Sequence, residues 1–366
     1  PMTHRNLEKM LATKQATQER RLGQDLRVVE LKLVRNRLSK GQLASLDRMF
    51  LEAKWLYNAV LEAGLKDWTS KTPVTSLDRE GNRVARELTV LPAHCKQNLV
   101  KQLKANARSL ATRKKKGYKV GRLRYRSRID VVEYSTGDLK WRGGAKVHLP
   151  KLGWVRVSGT SQLAGKELAN ARLVRRAGGY YLKIATCQAK EEEVKTWANG
   201  SAVGLDMGLK AHVTLSTGET RSITVGESER LRGLQRKLSR QVRGSNNSER
   251  TKVKIRREYQ RMDNRKVEAA NKLVRELTSQ YEYVFLQDEQ LAGWRIMRKH
   301  GLQHSILGRV KAKLVRHSRA VILDRWLPTT QWCPGCGSKN KLELAQRVYS
   351  CACGYSMDRD VHAARN

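Results

Sequence analysis

The amino-acid sequence predicts an α/β, multi-domain chain. Its first part reads as an N-terminal β-barrel with a helical insertion, and its second as an α/β domain with a small cysteine unit set in near the end. Three observations predict this. Apolar and polar residues alternate at Val29, Leu31 and Leu33 and again across 145–187, the period-two pattern of half-buried strands. Two short apolar runs, at 202–205 and 283–286, each lead into carboxylates, as buried strands do when they feed a site. Four of the six cysteines fall in two close pairs, Cys333-Pro334-Gly335-Cys336 and Cys351-Ala352-Cys353. A length of 366 residues is enough for two or three domains and a sizeable core.

Composition narrows the partners. With 74 Lys+Arg against 34 Asp+Glu, the formal net charge is +40, far beyond what solubility requires. Such a chain binds a long polyanion, nucleic acid first of all. Because the basic residues run along the whole chain, they fit wrapping better than a single contact patch. Charge alone also allows a ribosome-associated or heparin-type binder. No stretch approaches eighteen apolar residues, so no membrane span is expected. Residues 2–24 lack the apolar core of a signal peptide, and Pro1 ahead of Met2 reads as a residue left by cloning. Cys95 and Cys187 read as buried small hydrophobes. Without a disulfide framework the compartment is expected to be reducing, a cytoplasm.

In chain order, residues 1–24 are a basic, polar segment expected to fray. A strand follows at 29–33. Ser39 and Gln42 have capping-box spacing, and Leu43, Leu46, Phe50 and Tyr57 recur at helical spacing behind them. Residues 66–92 read as a loop, and 93–112 as a second helix. The chain then turns strongly basic: Arg113, Lys114, Lys115, Lys116, Lys119, Arg122, Arg124, Arg126 and Arg128, with Tyr118 and Tyr125 interleaved. Basic charge grips phosphates and aromatic faces stack on bases, so this run is the candidate nucleic-acid contact, the bland alternative being a solvated loop. Across 145–187, Pro150-Lys151-Leu152-Gly153 and Gly178-Gly179 read as hairpin turns.

A new unit starts near Asn199-Gly200. Its first strand, 202–206, ends in Asp206. Between 228 and 280 the pattern is an antiparallel helical hairpin broken at 244–248, with Leu231, Leu234, Leu238 and Val242 as one apolar stripe. The buried strand at 283–286 leads into Gln287-Asp288-Glu289. A helix near 304–317 and a strand at 320–323 precede the cysteines.

Hydrolysis of a phosphodiester by two Mg²⁺ ions about 4 Å apart needs several converging carboxylates. RNase H-like folds draw them from one central strand, its neighbour and a late helix. The chain has acids in that order: Asp206, then Asp288/Glu289, then Asp358/Asp360. An acid after a strand is by itself a weak signal; the ordered set beside a metal clamp is a strong one. Thiolates in close pairs bind Zn²⁺ tetrahedrally, and the fourteen residues between Cys336 and Cys351 suit a zinc ribbon, although the second pair is Cys-x-Cys. Redox chemistry is the competing use of these cysteines. A four-thiolate site is closed, hence structural. His362 reads as part of the last helix, not as a ligand.

At these residues the chain resembles the TnpB family of transposon-encoded RNA-guided nucleases, relatives of compact type V CRISPR effectors. The blocks that carry the resemblance are Lys146-Val147-His148-Leu149-Pro150-Lys151-Leu152-Gly153, Val203-Gly204-Leu205-Asp206-Met207-Gly208-Leu209, Gln287-Asp288-Glu289, Cys333-Pro334-Gly335-Cys336-Gly337 and Asp358-Arg359-Asp360. The resemblance implies a wedge-like β-barrel (25–39 and 136–196) with a helical recognition insertion (40–135). It also implies a RuvC nuclease domain (197–328 and 357–366) interrupted by a zinc-bearing target-nucleic-acid-binding unit (329–356). It implies a guide RNA, a double-stranded DNA target read beside a short flanking motif, R-loop formation and one chain per guide. Asp206, Glu289 and Asp360 would be the Mg²⁺-binding catalytic acids, with Asp288 and Asp358 as accessories. Many relatives have Glu-Asp-Leu where this chain has Gln287-Asp288-Glu289. Strict register would put Gln287 at the catalytic position and cripple the nuclease; the reading favoured is Glu289. A nuclease-inactive RNA-guided repressor and a DNA transposase remain the alternatives. The chain stops at Asn366, within the expected final helix.

Overall fold

The structure, a computed structural model, describes residues 4–64, 74–78, 80–190, 197–208, 211–291, 293–294, 304–343 and 345–366. It divides into two compact units, residues 1–192 and 193–366, each with its own hydrophobic core.

In the first unit, α1 (His4–Leu22) takes the place of the expected frayed segment. Its run of Leu, Lys, Gln, Ala, Glu and Arg is rich in good helix formers. Arg20 and Arg21 also reach Glu167 at 3.0 and 3.6 Å, which ties the helix end down. In β1 (Gln24–Leu33), Val29, Leu31 and Leu33 are the buried positions. Ser39 and Gln42 form both halves of the capping box, and α2 (Lys40–Glu62) follows, burying Leu46, Met49, Phe50, Ala53 and Leu56.

The region expected as a loop at 66–92 contains a hairpin, β2 (Val74–Leu77) paired antiparallel with β3 (Arg83–Arg86). The Asp78 carboxylate closes it by accepting from the backbone N–H groups of Glu80 and Asn82 at 2.9 and 2.8 Å. Four-residue strands this rich in charge carry no alternation signal. The parts of that expectation at 66–73 and at 79 lie outside the described residues. The fully buried Glu52 then accepts from the N–H groups of Val90 and Leu91 at 3.0 and 2.8 Å, which fastens the end of the segment to α2. Helix α3 (Ala93–Lys115) runs into the basic stretch.

The remaining strands of this unit are β4 (Val131–Tyr134), β5 (Lys140–Trp141), β6 (Lys146–Leu149), β7 (Gly153–Ser158), β8 (Glu167–Arg176) and β9 (Gly179–Ala189). With β1 they form one antiparallel seven-stranded sheet, ordered β4-β8-β9-β1-β7-β6-β5. Lys151 and Gly153, at φ 67° and 71°, make the tight turn between β6 and β7. Among the described residues no ladder joins the end strands β4 and β5, so the hydrogen-bonded sheet does not close on itself; β5 is only two residues long.

In the second unit, β10 (Ala202–Asp206) is central. It pairs antiparallel with β11 (Val213–Leu215), which pairs with β12 (Thr220–Arg221). On its other side lie β13 (Tyr283–Gln287) and β14 (Ala320–Leu323), both parallel to it. Between β12 and β13 come α4 (Glu229–Ser239) and α5 (Asn246–Gln280), broken where expected: Gly244 takes φ 86° and Ser245 caps α5 through Ser248 N–H. The apolar stripe on α4 is narrower than expected. Leu231 is buried and Val242 is exposed, because the core contact shifts to Ala270, Leu273, Val274 and Leu277 in the second half of α5. After β13 come α6 (Leu307–Leu314), β14, the cysteine unit with its β15 (Val348–Ser350) and β16 (Ser356–Asp358), and α7 (Arg359–Arg365).

Candidate active site

Parallel strands place their carboxyl ends together, and that edge is where an α/β sheet collects a site. Here β10 ends in Asp206. The register Leu205 to Leu286 brings Asp206 level with the end of β13, and Glu289 follows two residues past that strand. Asp360 sits in the first turn of α7. Asp358 is the cap of that helix: its Oδ1 accepts from the N–H groups of Asp360 and Val361 at 2.9 and 3.2 Å.

What lets α7 reach β10 is Gly204. A Cβ there would stand 1.7 Å from the carbonyl oxygen of Ala364, so the helix can lie on the strand only where the strand has no side chain. The Gly204 N–H also donates to Ser216 Oγ at 3.1 Å. Sequence reasoning quoted this glycine within a motif and assigned it no role; a glycine inside an otherwise buried strand was the signal available. The C-terminal amide is tied in too: Asn366 Nδ2 donates to the carbonyls of Thr329 and Trp332, both at 2.7 Å. The result is a cavity of about 390 Å³ lined by Gly204, Asp206, Gln287, Glu289, Thr329 and Asn366 among others.

Its electrostatics are those of acids crowded together. The Asp206 carboxyl is pushed up to about 7, first by burial and then by the charges of Asp360, Glu289 and Asp358, with Arg359 pulling the other way. Burial also raises Glu289, against the pull of Lys311 and Arg325. Asp288 behaves oppositely. Lys311 Nζ meets its Oδ1 at 2.7 Å and Arg325 holds its other oxygen, and together they keep its carboxyl below the usual range. Gln287 donates its amide to the carbonyls of Asp324 and Leu327 at 3.0 and 2.8 Å. Of the three consecutive candidates, Glu289 is therefore the acid that adds its charge to Asp206. Carboxylate oxygens are the donors that hard divalent cations prefer, although among the described residues only the four cysteines already have ligand atoms within 4.8 Å of one another.

The four cysteines converge as the sequence spacing required. The Sγ atoms of Cys333, Cys336, Cys351 and Cys353 all lie within 4.8 Å of one another. Cys333 and Cys353 stand 3.6 Å apart, and Cys336 and Cys351 3.5 Å. The edge of a tetrahedron with Zn–S bonds of about 2.3 Å is roughly 3.8 Å, so the donor set fits zinc. Each pair is followed by a left-handed glycine that turns the chain, Gly337 at φ 73° and Gly354 at φ 89°. Cys351 is pulled down to about 6, first by the Cys353 N–H and then by the Ser338 hydroxyl. Cys353 receives the Tyr355 N–H and is still pushed up to about 12 by the sulfurs of Cys333, Cys351 and Cys336: four thiolates need a cation to coexist. His362 is not a ligand. It is fully buried in α7, stacked on Tyr349 of β15 at 3.8 Å.

In the first unit, the basic run begins in the last turn of α3 with Arg113, Lys114 and Lys115, where positive charge complements the helix dipole. Residues Lys116, Tyr118, Lys119, Arg122, Arg124 and Tyr125 continue it on the surface. Arg126 and Arg128 are exposed but engaged: Arg126 lies 4.9 Å over the Tyr57 ring, and Arg128 meets Asp130 at 2.6 Å.

Comparison with known proteins bears on both units. Residues 185–293 match a family described as "Probable transposase", and residues 304–366 match "Cas12f1-like, TNB domain". A "Putative RNA-guided DNA endonuclease" of Streptomyces pristinaespiralis is 29% identical over 354 residues, covering 89% of this chain and 85% of that protein. A "Putative RNA-guided DNA endonuclease InsQ" of Escherichia coli K12 is 28% identical over 273 residues, covering 67% of each. Among solved structures, the chain matches one described as "Cryo-EM structure of the Cas12f1-sgRNA-target DNA complex" with a TM-score of 0.53 at 9% identity, covering 94% of this chain and 98% of that one, a likeness of fold. No helix among the described residues is long and apolar enough to cross a membrane.

Proposed function

The chain belongs to the TnpB family, and from that premise we propose that it is an RNA-guided DNA endonuclease whose cutting centre is the acid cluster of the second unit, an RNase H-like site of RuvC type. What supports the reading is that Asp206 and Glu289 line one cavity at the ends of two parallel strands, with Asp360 in the first turn of the helix that lies on β10, and that burial first and then the charges of Asp360 and Glu289 push Asp206 up to about 7. These three residues would hold Mg²⁺. When bound, the ions would supply an activated water and stabilisation of the leaving oxygen, the two-metal route to phosphodiester hydrolysis.

The protein's own residues have separate tasks. Asp358 fixes the first turn of α7 and so aims Asp360. Gly204 lets that helix settle on β10. Lys311 and Arg325 are bonded to Asp288, while Glu289 lines the cavity with Asp206. The zinc unit would brace α7 from the other side through Tyr349 and His362. The basic residues from Arg113 to Tyr125 would grip nucleic-acid backbone. With a net charge of +40 the chain can hold a guide RNA and the heteroduplex it forms with one strand of a double-stranded DNA target, reading only a short flanking motif itself. R-loop formation and one chain per guide belong to the same reading.

A nuclease-inactive repressor would follow if Gln287 filled the catalytic position. Its amide is spent on the 324 and 327 carbonyls and Glu289 is present beside Asp206, which favours cutting. RNA copurifying with the protein identifies the guide. Supplying the matching plasmid with Mg²⁺ should then give linear DNA with wild-type protein and none with Asp206→Ala, while both bind target. Intact plasmid with wild-type protein refutes the nuclease. Strands joined to new DNA, in place of free ends, establish the transposase.

A further inference from the structure

Of the three residues Gln287-Asp288-Glu289 at the end of β13, the first two have partners outside the acid cluster. Gln287 and Asp288 hold one short turn, residues 324–327, at the end of β14. Gln287 Nε2 donates to the carbonyls at both ends of it, Asp324 and Leu327, and Asp288 pairs with Arg325 in its middle. The turn also closes on itself. Trp326 N–H donates to Asp324 Oδ1 at 2.7 Å, and Leu327 N–H to Asp324 O at 3.2 Å. At the tip of this anchored turn stands Trp326, 83% exposed, the most exposed large hydrophobic side chain among the described residues. The turn lies in the chain between two residues that line the acid cavity, Leu323 and Thr329. A large aromatic ring in water on such a turn, with its backbone fixed at several points, is arranged to meet something flat.

We propose that Trp326 is a stacking platform for an unpaired nucleobase of the DNA strand entering the acid cavity, with Gln287 and Asp288 as the positioning residues that hold the platform. The inference rests on the nuclease reading above for which strand is bound. Single-stranded DNA is the occupant that the chemistry favours. The chain carries a net charge of +40, and every base offers a π face. A cavity of about 390 Å³ admits one nucleotide of a single strand and not a duplex.

The test uses the full, guide-loaded protein in chelator, so that nothing is cut, and a fluorescent single-stranded oligodeoxythymidine of about twelve nucleotides. Trp326→Ala should weaken binding roughly tenfold, and Trp326→Phe, which keeps an aromatic face, by much less. The slope of log affinity against log salt should stay unchanged, because no phosphate contact has been removed. Gln287→Ala should weaken binding in the same salt-independent way. Unchanged affinity of Trp326→Ala, a loss that appears in the salt slope, or a Phe variant as weak as the Ala variant would each overturn the proposal. Cleavage in Mg²⁺ separates the two readings. Wild type that cuts while Trp326→Ala binds and cuts normally removes the platform and leaves the nuclease. Wild type that never cuts, with Trp326-dependent binding intact, removes the nuclease and leaves the platform.

Discussion

The second unit contains a group of four thiols and a set of acids proposed as the cutting centre, and they are built in opposite ways. The thiol cluster is local: four cysteines within twenty-one residues, each pair turned by its own glycine. The carboxylate cluster is assembled from segments far apart in the chain, at 206, 289 and 360, and depends on a helix lying across a strand. Crowding raises a proton affinity in each: neighbouring sulfurs push Cys353 up, and burial first, then neighbouring acids, push Asp206 up. A local cluster can fail alone. A distributed one fails when any of its supports fails, and one of those supports is the thiol unit itself, through Tyr349 and His362.

The largest expected effect breaks the distributed cluster at its centre. Asp206→Ala should lower target cleavage by about 10²–10³-fold or more, the scale of losing a key electrostatic contact at a reacting group. Guide and target binding should persist, and zinc content should stay at one per chain. Loss of zinc from this variant would mean that the two clusters are not separable in that direction.

Next comes the opposite break. Cys336→Ser should remove the zinc, whose binding contributes folding free energy directly. Because β16 runs into α7, cleavage should fall by roughly ten- to a hundredfold, the scale seen when groups that orient a metal ligand are lost. Metal analysis and plasmid cleavage on one preparation check this. Zinc-free protein that cuts at the wild-type rate would show that the brace is idle. Gly204→Ala attacks the other support of α7 and should reduce cleavage while leaving zinc bound, since the added Cβ meets backbone that cannot move aside cheaply.

The contrast in construction is also the contrast in legibility. The zinc cluster could be read from the sequence because ligand spacing within a turn is a property of the chain alone. The order of the three acid segments could be read too, from apolar runs ending in carboxylates. Which acid of Asp288 and Glu289 lines the cavity depends on where Arg325 and Lys311 stand, and those positions are set by packing. The role of Gly204 was hidden for the same reason: its partner, Ala364, is 160 positions away. In the first unit the alternation at 29–33 and the capping box at Ser39 gave the elements directly. The hairpin at 74–86 did not show, because its strands are four residues long and its turn is closed by one Asp78 carboxylate.

A sharper test of the middle acid compares neighbours. Glu289→Gln should cost about a hundredfold in cleavage, whereas Asp288→Asn, which keeps the shape and loses two ion pairs, should cost less than about tenfold. The reverse ranking would place Asp288 in the cluster and return Glu289 to the surface.

The smallest effect reads the strain of the acid cluster as stability. In chelator-treated protein, Asp206 has an ordinary value of 3.8 when unfolded and about 7 when folded. A raised folded value means that the folded state binds the proton more tightly, so the stabilisation is complete below about pH 4 and is lost as pH rises through 7. Asp206→Asn, permanently neutral and of the same shape, escapes that loss. Its melting temperature should match wild type near pH 4 and exceed it by several degrees at pH 8, with the gap opening between those values. Adding Mg²⁺ at pH 8 should raise wild type and close part of the gap, because the cation replaces the proton as the partner of the crowded carboxylates. A gap that is constant with pH would mean that burial and neighbouring charge do not act on Asp206 as its surroundings require. The acid cluster would then lack the strain that it shares with the thiol cluster.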